Sequence, residues 1–286
     1  MEESLPLSLS VDLEGLPHVV SRLHLVPGRP LWEEAREIAT KVVVRACEVL
    51  RDSGFEEVVV ADSHGDMVNL EVSKFSDYVV LVRGYPRPTS MIAGAEGSDV
   101  ALMIGYHSGF GTRKAVFDHT FSGAVVRSLE FNGVRFSEYL VNSSALGHLG
   151  IPVVFLAGDE NLRTEVAKHT PWVVFTPLKE SLSRYSAKSP SLSRVLKDLE
   201  LGIREGLRKH AEGLTKPFKI ETPVTVRVSF HESGFADVAE LLPIVKRVDS
   251  LTVEYEARNP VEAYKILEAL IMASHGIRLI TEIQLR

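Results

Sequence analysis

Short runs of apolar residues, each about as long as one strand, recur along this chain and constrain its fold more than any other feature. Residues 58–61, 100–104 and 151–157 are such runs. Strands of a parallel sheet are buried on both faces, so they read as continuous apolar runs rather than as alternating patterns. Residues 31–50 carry apolar side chains at helical spacing instead. The pattern predicts an α/β fold with a mainly parallel central sheet flanked by helices.

The last third of the chain carries a second pattern. A long amphipathic helix is predicted to begin at Ser189-Pro190, with Ser189 as its N-cap, and to reach His210. Residues 224–274 then read as strand, helix, strand and helix, with Asn259-Pro260 capping the last helix. We therefore expect two domains. Residues 1–180 would form the α/β domain that carries the candidate site, and residues 181–286 a helix plus a smaller C-terminal β-α-β-α subdomain.

Composition and charge exclude several classes of function. The formal net charge is −6, whereas proteins that bind nucleic acid normally present a basic surface. No stretch reaches the roughly 18 apolar residues that span a bilayer, and the N-terminus lacks the pattern of a signal peptide. The single cysteine, Cys47, rules out an internal disulfide and a cysteine-based zinc site. We expect a cytoplasmic protein that binds neither nucleic acid nor membranes.

Polar side chains follow three of the predicted strands. Asp12 and Glu14 come after the first strand, His64 after the second, and His107 after the run 100–104. In open α/β sheets the ligand crevice lies outside the carboxyl ends of the strands, so these side chains should converge. Alone, an Asp after a strand is more often a turn or cap residue, and a loop His is more often solvated or bonded to the backbone. Together, two carboxylates and two imidazoles form the mixed oxygen and nitrogen donor set that suits zinc.

The sequence does not match several other common catalytic motifs. The segment 107–114 is rich in glycine, but Lys114 has neither the preceding glycine nor the following Ser or Thr of a phosphate-binding Walker A loop. No G-x-G-x-x-G follows the first strand, and neither G-x-S-x-G nor H-E-x-x-H occurs. Dinucleotide enzymes, serine hydrolases and zincins are therefore disfavoured. The sequence around His119 is compatible with three roles: a further metal ligand, a proton shuttle, or a loop residue without a role.

Five short motifs in a fixed order carry a resemblance to a known family. They are Ser10-Val-Asp-Leu-Glu-Gly15, Val60-Ala-Asp-Ser-His64, Ile104-Gly-Tyr-His107, Asp118-His119 and Ser137-Glu-Tyr-Leu-Val-Asn142. In this order the chain resembles the D-aminopeptidase family of the dipeptide-transport operon type, peptidase family M55. The resemblance covers most of the chain and implies a site with two zinc ions, in which Asp12 bridges the metals. It implies that Glu14, His64, His107 and Glu138 complete the two coordination shells.

The resemblance also implies an activity and an assembly. The family's catalytic histidine falls on His119, which would act as base, acid or oxyanion stabiliser while a metal-activated water hydrolyses the peptide. Substrates would be short peptides with an N-terminal D-amino acid, and the assembly a ring-shaped homodecamer. We also expect Asp62 to hold a metal-bound imidazole through a hydrogen bond. Two alternatives stay open: another two-metal amidohydrolase or phosphoesterase, and a non-enzymatic assembly protein with structural metals.

Overall fold

The computed structural model describes residues 6–284 of the chain, so the first residue of the strand predicted from Leu5 lies outside the described part. The strands are β1 (Leu7–Val11), β2 (Val58–Asp62), β3 (Val79–Val82), β4 (Ala101–Tyr106), β5 (Val126–Phe131), β6 (Val134–Arg135), β7 (Val153–Asp159), β8 (Val174–Ser183), β9 (Ser186–Lys188), β10 (Val224–Phe230), β11 (Val245–Arg247) and β12 (Thr252–Ala257). The α-helices are α1 (Trp32–Asp52), α2 (Glu138–His148), α3 (Arg163–His169), α4 (Leu192–Ala211), α5 (Ser233–Ala239) and α6 (Pro260–Gln284).

The larger sheet confirms the prediction of a mainly parallel central sheet. Its seven strands lie in the order β3-β2-β1-β4-β7-β8-β9, and every pair is parallel except the β8-β9 hairpin. Val11 pairs with Asp62 of β2 on one side and with Ile104 of β4 on the other. The carboxyl ends of these three central strands therefore end level with one another at one edge of the sheet.

Helices cover both faces of this sheet. On one face, α1 and α4 pack against each other and enclose the buried side chains of the central strands. The apolar positions of α1 account for its burial, and Cys47 is among them as a small buried residue. On the other face, α2 packs between β4, β7 and the last helix, α6. The helix α2 therefore lies between the larger sheet and α6.

The second sheet is antiparallel, with the order β11-β12-β10-β5-β6. The predicted β-α-β-α pattern is confirmed there as β10, α5, β12 and α6, while the short strand β11 was not predicted. Two of its strands, β5 and β6, come from residues before 180 and form a hairpin. Its turn is Asn132-Gly133, a dipeptide whose sequence predicts such a turn. The two sheets thus do not separate at residue 180. Whether 1–180 and 181–286 are independent folding units stays a prediction.

Two predicted helix starts have different outcomes. The long helix α4 begins at Leu192 with Ser191 as its N-cap, so the prediction of Ser189 as N-cap is wrong by two residues. Ser189 instead accepts a hydrogen bond from the backbone of His18, at 2.9 Å. The last helix does begin at Asn259-Pro260, where the Asn259 side chain accepts from the N–H of Glu262 at 2.9 Å. Among residues 6–284, no helix combines the length and apolar content needed to cross a membrane.

Candidate metal centre

The three central strands deliver their polar side chains to one place, as their order in the chain predicts. Asp12 follows β1 directly, His107 follows β4 directly, and His64 lies two residues beyond the end of β2. All three side chains are buried. His64 Nδ1 lies 3.3 Å from Asp12 Oδ1, and His107 Nε2 lies 3.6 Å from Asp12 Oδ2. Asp12 therefore lies between the two imidazoles.

Glu14 reaches the same place through a tight turn after β1. The N–H of Gly15 donates to the carbonyl of Gly105 at 2.7 Å, which presses the turn against the end of β4. A Cβ at Gly15 would lie 1.9 Å from the carbonyl oxygen of Tyr106, so only glycine allows this approach. The Glu14 carboxylate then lies 2.8 Å from His64 Nδ1 through its Oε2.

Glu138 comes from a helix rather than from a strand. It is the first residue of α2, whose N-cap is Ser137. Its Oε1 lies 3.5 Å from His107 Nε2 and accepts a hydrogen bond from the N–H of Phe121 at 2.6 Å. The positive end of the helix dipole favours a carboxylate at this position. Glu138 is buried, which is unusual for an ionised side chain unless it is paired or binds a metal.

The ligand atoms fall into two groups that share one residue. Asp12, Glu14 and His64 offer atoms within 4.8 Å of one another, and so do Asp12, His107 and Glu138. A third overlapping group consists of Glu14, His107 and His119. A carboxylate common to two ligand sets has the arrangement expected of a residue that bridges two ions. The five candidate ligands named from the sequence thus lie together as two adjoining groups.

The histidine hydrogen bonds leave one ring nitrogen of each imidazole facing the carboxylates. His64 Nε2 lies 2.9 Å from the carbonyl of Leu25, and His107 Nδ1 lies 3.0 Å from the carbonyl of Ser108. Because a carbonyl only accepts, these two nitrogens keep their protons even when the rings are neutral, so the neutral rings would offer the lone pairs of His64 Nδ1 and His107 Nε2 to a metal ion. Asp12 Oδ2 and His107 Nε2 are buried without a hydrogen-bond partner. Buried donor atoms without a partner, in an oxygen and nitrogen set, fit a zinc ion.

The pKa values reflect this concentration of charge. Burial alone would lower the pKa of His64, but the Glu14 and Asp12 carboxylates raise it well above its ordinary value. Burial also lowers the pKa of His107, but the charge of Glu138 outweighs burial and raises this pKa to about 10. Burial and the charge of Glu14 raise the pKa of Asp12 well above its ordinary value. The negative charges of the cluster thus need positive partners, which are protons or metal ions.

His119 adjoins the cluster from a loop. Its ring stacks on that of His107 with centroids 4.4 Å apart and planes 17° apart. Its Nδ1 lies 2.7 Å from the carbonyl of Phe117, so Nδ1 carries the proton and Nε2 faces the cluster. Nε2 lies 3.6 Å from Glu138 Oε1 and 3.9 Å from Glu14 Oε1. Burial and the charge of His107 lower the pKa of His119.

The predicted role of Asp62 differs from its contacts. Its carboxylate accepts from the side-chain amide of Asn69 and the N–H of Leu70, both at 2.8 Å. The partners of the two imidazoles are backbone carbonyls instead, those of Leu25 and Ser108. The expectation that Asp62 holds a metal-bound imidazole is therefore wrong. The Asp62 carboxylate is occupied instead in holding the segment after β2, because its partners Asn69 and Leu70 lie seven and eight residues further along the chain.

A cavity of about 780 Å³ opens beside the cluster. One side consists of Asp12, Glu14, His64, His119 and Glu138, and the facing side comes from the helix α6, including Glu268, Ile271 and His275. His275 Nε2 lies 2.9 Å from Ser122 Oγ, which ties α6 to the loop that carries His119. No motif in the sequence predicts a role for His275 or Glu268. The helical spacing of 260–274 indicated a packed helix and gave no sign that one stripe faces a cavity.

Buried carboxylates and imidazoles at the carboxyl edge of a parallel sheet, beside an open cavity, define a metal-dependent hydrolase. The chain belongs to the D-aminopeptidase family, peptidase family M55, whose model matches residues 6–269. It is 29% identical over 276 residues to the D-aminopeptidase of Bacillus subtilis (strain 168), which covers 95% of this chain and 98% of the relative.

A solved structure extends this similarity to the fold. It is the Zn-dependent D-aminopeptidase DppA from Bacillus subtilis, described as a self-compartmentalizing protease. The two structures superpose with a TM-score of 0.89 at 27% sequence identity, over 94% of this chain and 98% of DppA. Similarity over nearly the whole of both chains confirms the family resemblance and the fold class predicted from the sequence.

Proposed function

We propose that this chain is a two-zinc aminopeptidase that removes N-terminal residues, D-amino acids among them, from short peptides. The observation that carries the proposal is the pair of ligand groups joined by Asp12 and open to the cavity. Structural zinc sites are usually closed by four protein ligands, whereas catalytic sites leave a position open. Membership of the D-aminopeptidase family favours peptide hydrolysis over the phosphoesterase and non-enzymatic alternatives.

The five ligands hold the metals in this proposal. Glu14 and His64 would bind one zinc ion, His107 and Glu138 the other, and Asp12 both. When bound, two zinc ions supply Lewis acidity, which lowers the pKa of water and polarises the scissile carbonyl. The protein fixes the direction of each imidazole through the carbonyls of Leu25 and Ser108, so the ligand atoms are aligned before metal binding.

In the proposed reaction His119 transfers a proton. Its Nδ1–H is bonded to the carbonyl of Phe117, so Nε2 is free to accept a proton from the attacking water and to return it to the leaving amine. The imidazolium formed in between lies near Glu138 and Glu14, at 3.6 and 3.9 Å, and these carboxylates stabilise its charge. A general base followed by a general acid is the role that this geometry supports best.

The cavity offers groups for the two ends of a short peptide. Its volume of about 780 Å³ lies within the usual range of small-ligand pockets. Three lining carboxylates lie outside the metal centre: Asp66, Glu268 and Glu282. Glu282 is paired with Arg278 at 2.9 Å, and the other two offer partners for the α-ammonium group that marks an N-terminus. Burial raises the pKa of Glu268 to about 7, so a neighbouring ammonium group would favour its ionised form.

We further propose that the chain forms a homo-oligomer, and the ring-shaped decamer and the cytoplasmic location stay predictions. The self-compartmentalizing description of DppA supports an assembly. So does the exposed end of α6, where Leu279, Ile280 and Ile283 are 59%, 53% and 68% exposed. Adjacent exposed aliphatic side chains on one helix end are typical of a surface that is covered in an assembly.

Metal analysis combined with a hydrolysis panel tests the proposed function. The purified protein should contain about two zinc ions per chain, and chelation should abolish hydrolysis of D-aminoacyl dipeptides. The panel contains matched L-dipeptides, an N-acetylated D-dipeptide and a phosphate ester. Cleavage of the free D-dipeptide with rejection of the N-acetylated one supports an aminopeptidase. Preferential cleavage of the phosphate ester, or activity that survives complete zinc removal, would refute the proposal.

A further inference from the structure

Residues 116–119, which we name the His119 loop, are held by a hairpin that does not line the cavity. The hairpin consists of β8 and β9, with Arg184 and Tyr185 at its tip. The N–H of Phe117 donates to the carbonyl of Arg184 at 3.1 Å, and the N–H of Val116 donates to Ser181 Oγ at 2.9 Å. Two backbone groups of the loop are thus bonded to an element about 65 residues further along the chain.

Arg184 also binds the loop through its side chain. Its Nη1 donates to the backbone carbonyl of Asp118 at 3.0 Å and to the carboxylate oxygen Oδ1 of the same residue. The other carboxylate oxygen, Oδ2, accepts from the N–H of Gly111 at 2.8 Å. Asp118 is 8% exposed, so its charge depends on these partners. The Arg184–Asp118 pair therefore joins the hairpin, the His119 loop and the glycine-rich segment after β4.

The backbone at Phe117 needs such support. Phe117 has a φ of 50°, in the left-handed region that bulky residues rarely adopt. A strained residue of this kind persists only where the surrounding structure fixes it. The strain has a local result, because it directs the carbonyl of Phe117 at His119 Nδ1, at 2.7 Å. That bond in turn leaves Nε2 without a proton and facing Glu14 and Glu138.

We propose that Arg184 and Asp118 are positioning residues, which set the place and the protonated nitrogen of the His119 ring through the strained carbonyl of Phe117. The proposal rests on the proposed catalytic role of His119. Arg184 contacts neither the cavity nor the metal ligands, so its removal should alter proton transfer without altering zinc binding or substrate binding. Misplacement of a catalytic group by about 1 Å costs on the order of 100-fold in rate.

The test compares Arg184→Ala, Arg184→Lys and Asp118→Ala with wild type in the zinc-loaded protein. For Arg184→Ala we expect kcat to fall about 100-fold, with KM and the zinc content unchanged. Arg184→Lys keeps the positive charge but not the reach and planar shape of the guanidinium group, so its kcat should lie between those of wild type and Arg184→Ala. Added guanidinium ion should restore part of the kcat of Arg184→Ala, because the Arg184 side chain is 37% exposed and its site can be reached.

Two controls separate the possible failures. Arg22→Ala removes an arginine that bonds Tyr185 on the same hairpin, at 3.1 Å, and should leave kcat unchanged. His119→Ala reports on the proposed function: if it retains wild-type kcat, that role is wrong. If His119→Ala is inactive while Arg184→Ala has wild-type kcat, the positioning proposal alone is overturned. Loss of zinc from Arg184→Ala, or loss of activity without rescue by guanidinium, would also overturn it in favour of a merely structural contact.

Discussion

Asp12 is the residue on which both proposed metal sites depend. Its Oδ1 is close to His64 and bonded to the N–H of Leu13, and its Oδ2 faces His107 without a hydrogen-bond partner. The other four ligands each belong to one of the two groups that contain Asp12. The consequences of removing the Asp12 charge should therefore differ from those of removing any other ligand.

Asp12→Asn should lower the zinc content from about two ions to fewer than one per chain. The amide keeps the shape of the side chain but replaces one oxygen with an NH₂ group, which cannot bind a cation. His64→Ala should cost mainly one ion, because the other group keeps its three ligands. Zinc is measured by mass spectrometry after gel filtration. Asp66→Asn, at an exposed lining residue, is the matched control and should retain both ions.

Zinc affinity should increase with pH over an unusually wide range. In the metal-free protein the carboxylates raise the pKa of His107 to about 10 and that of His64 well above its ordinary value, so both rings hold a proton to higher pH than a free imidazole does. Zinc must displace these protons, and its apparent Kd should therefore fall as the pH rises toward 10. Calorimetry in buffers of different ionisation enthalpy should detect about one proton released per imidazole ligand.

A surface histidine provides the control for this measurement. His148 is exposed at the end of α2, away from the cluster. His148→Gln should release as many protons as wild type on zinc binding. A zinc affinity that does not change between pH 6 and pH 9 would contradict the raised pKa values.

At the scale of elements, α2 packs closely against the segment between α4 and β10, and this contact helps to hold Glu138 in place. Near the end of α2, a Cβ at Gly147 would lie 1.9 Å from the carbonyl oxygen of Phe218. The helix thus packs directly against the backbone of the segment between α4 and β10, and its first residue is fixed beside His107. A side chain at Gly147 would have to displace backbone atoms rather than a flexible side chain.

Gly147→Ala should lower the free energy of unfolding by about 1–3 kcal/mol, the usual cost of overpacking a core. Gly234→Ala is the matched control, because it lies in α5 and a Cβ there meets nothing within 4 Å. Alanine is the better helix former, so the control should be neutral or more stable by up to about 1 kcal/mol. Urea denaturation of the zinc-free proteins measures both changes, and equal stabilities of the two variants would refute the packing argument.

Elements whose signal is local were predictable from the sequence, and contacts between distant elements were not. The apolar runs predicted the parallel sheet, and the strand ends predicted Asp12, Glu14, His64 and His107, because strand polarity alone brings such residues together. Glu138 came from the family resemblance, since a carboxylate in the first turn of a helix is common without a metal. The cavity wall on α6 and the Arg184 contact depend on how the two sheets pack, which no local pattern encodes.

At the scale of the whole molecule, the apolar end of α6 predicts where copies of the chain meet. Ile280→Glu combined with Ile283→Glu should reduce the mass in solution, because two charges cannot be buried in an apolar contact without large cost. Light scattering should then give a smaller assembly than wild type. Leu201→Glu, on α4 and 67% exposed, is the control and should keep the wild-type mass. A wild-type mass of 31.6 kDa, that of one chain, would refute the homo-oligomer.

The position of α6 in the chain also bears on when the enzyme becomes active. Every proposed metal ligand and His119 lie before residue 139, whereas the helix that closes the cavity spans Pro260–Gln284. The second sheet likewise needs β5 and β10, which are about 100 residues apart. Ribosomes deliver the N-terminal part first, so a growing chain holds the ligands long before it has a substrate pocket. We expect the nascent peptidase to bind zinc early and to cleave nothing until its synthesis is almost complete.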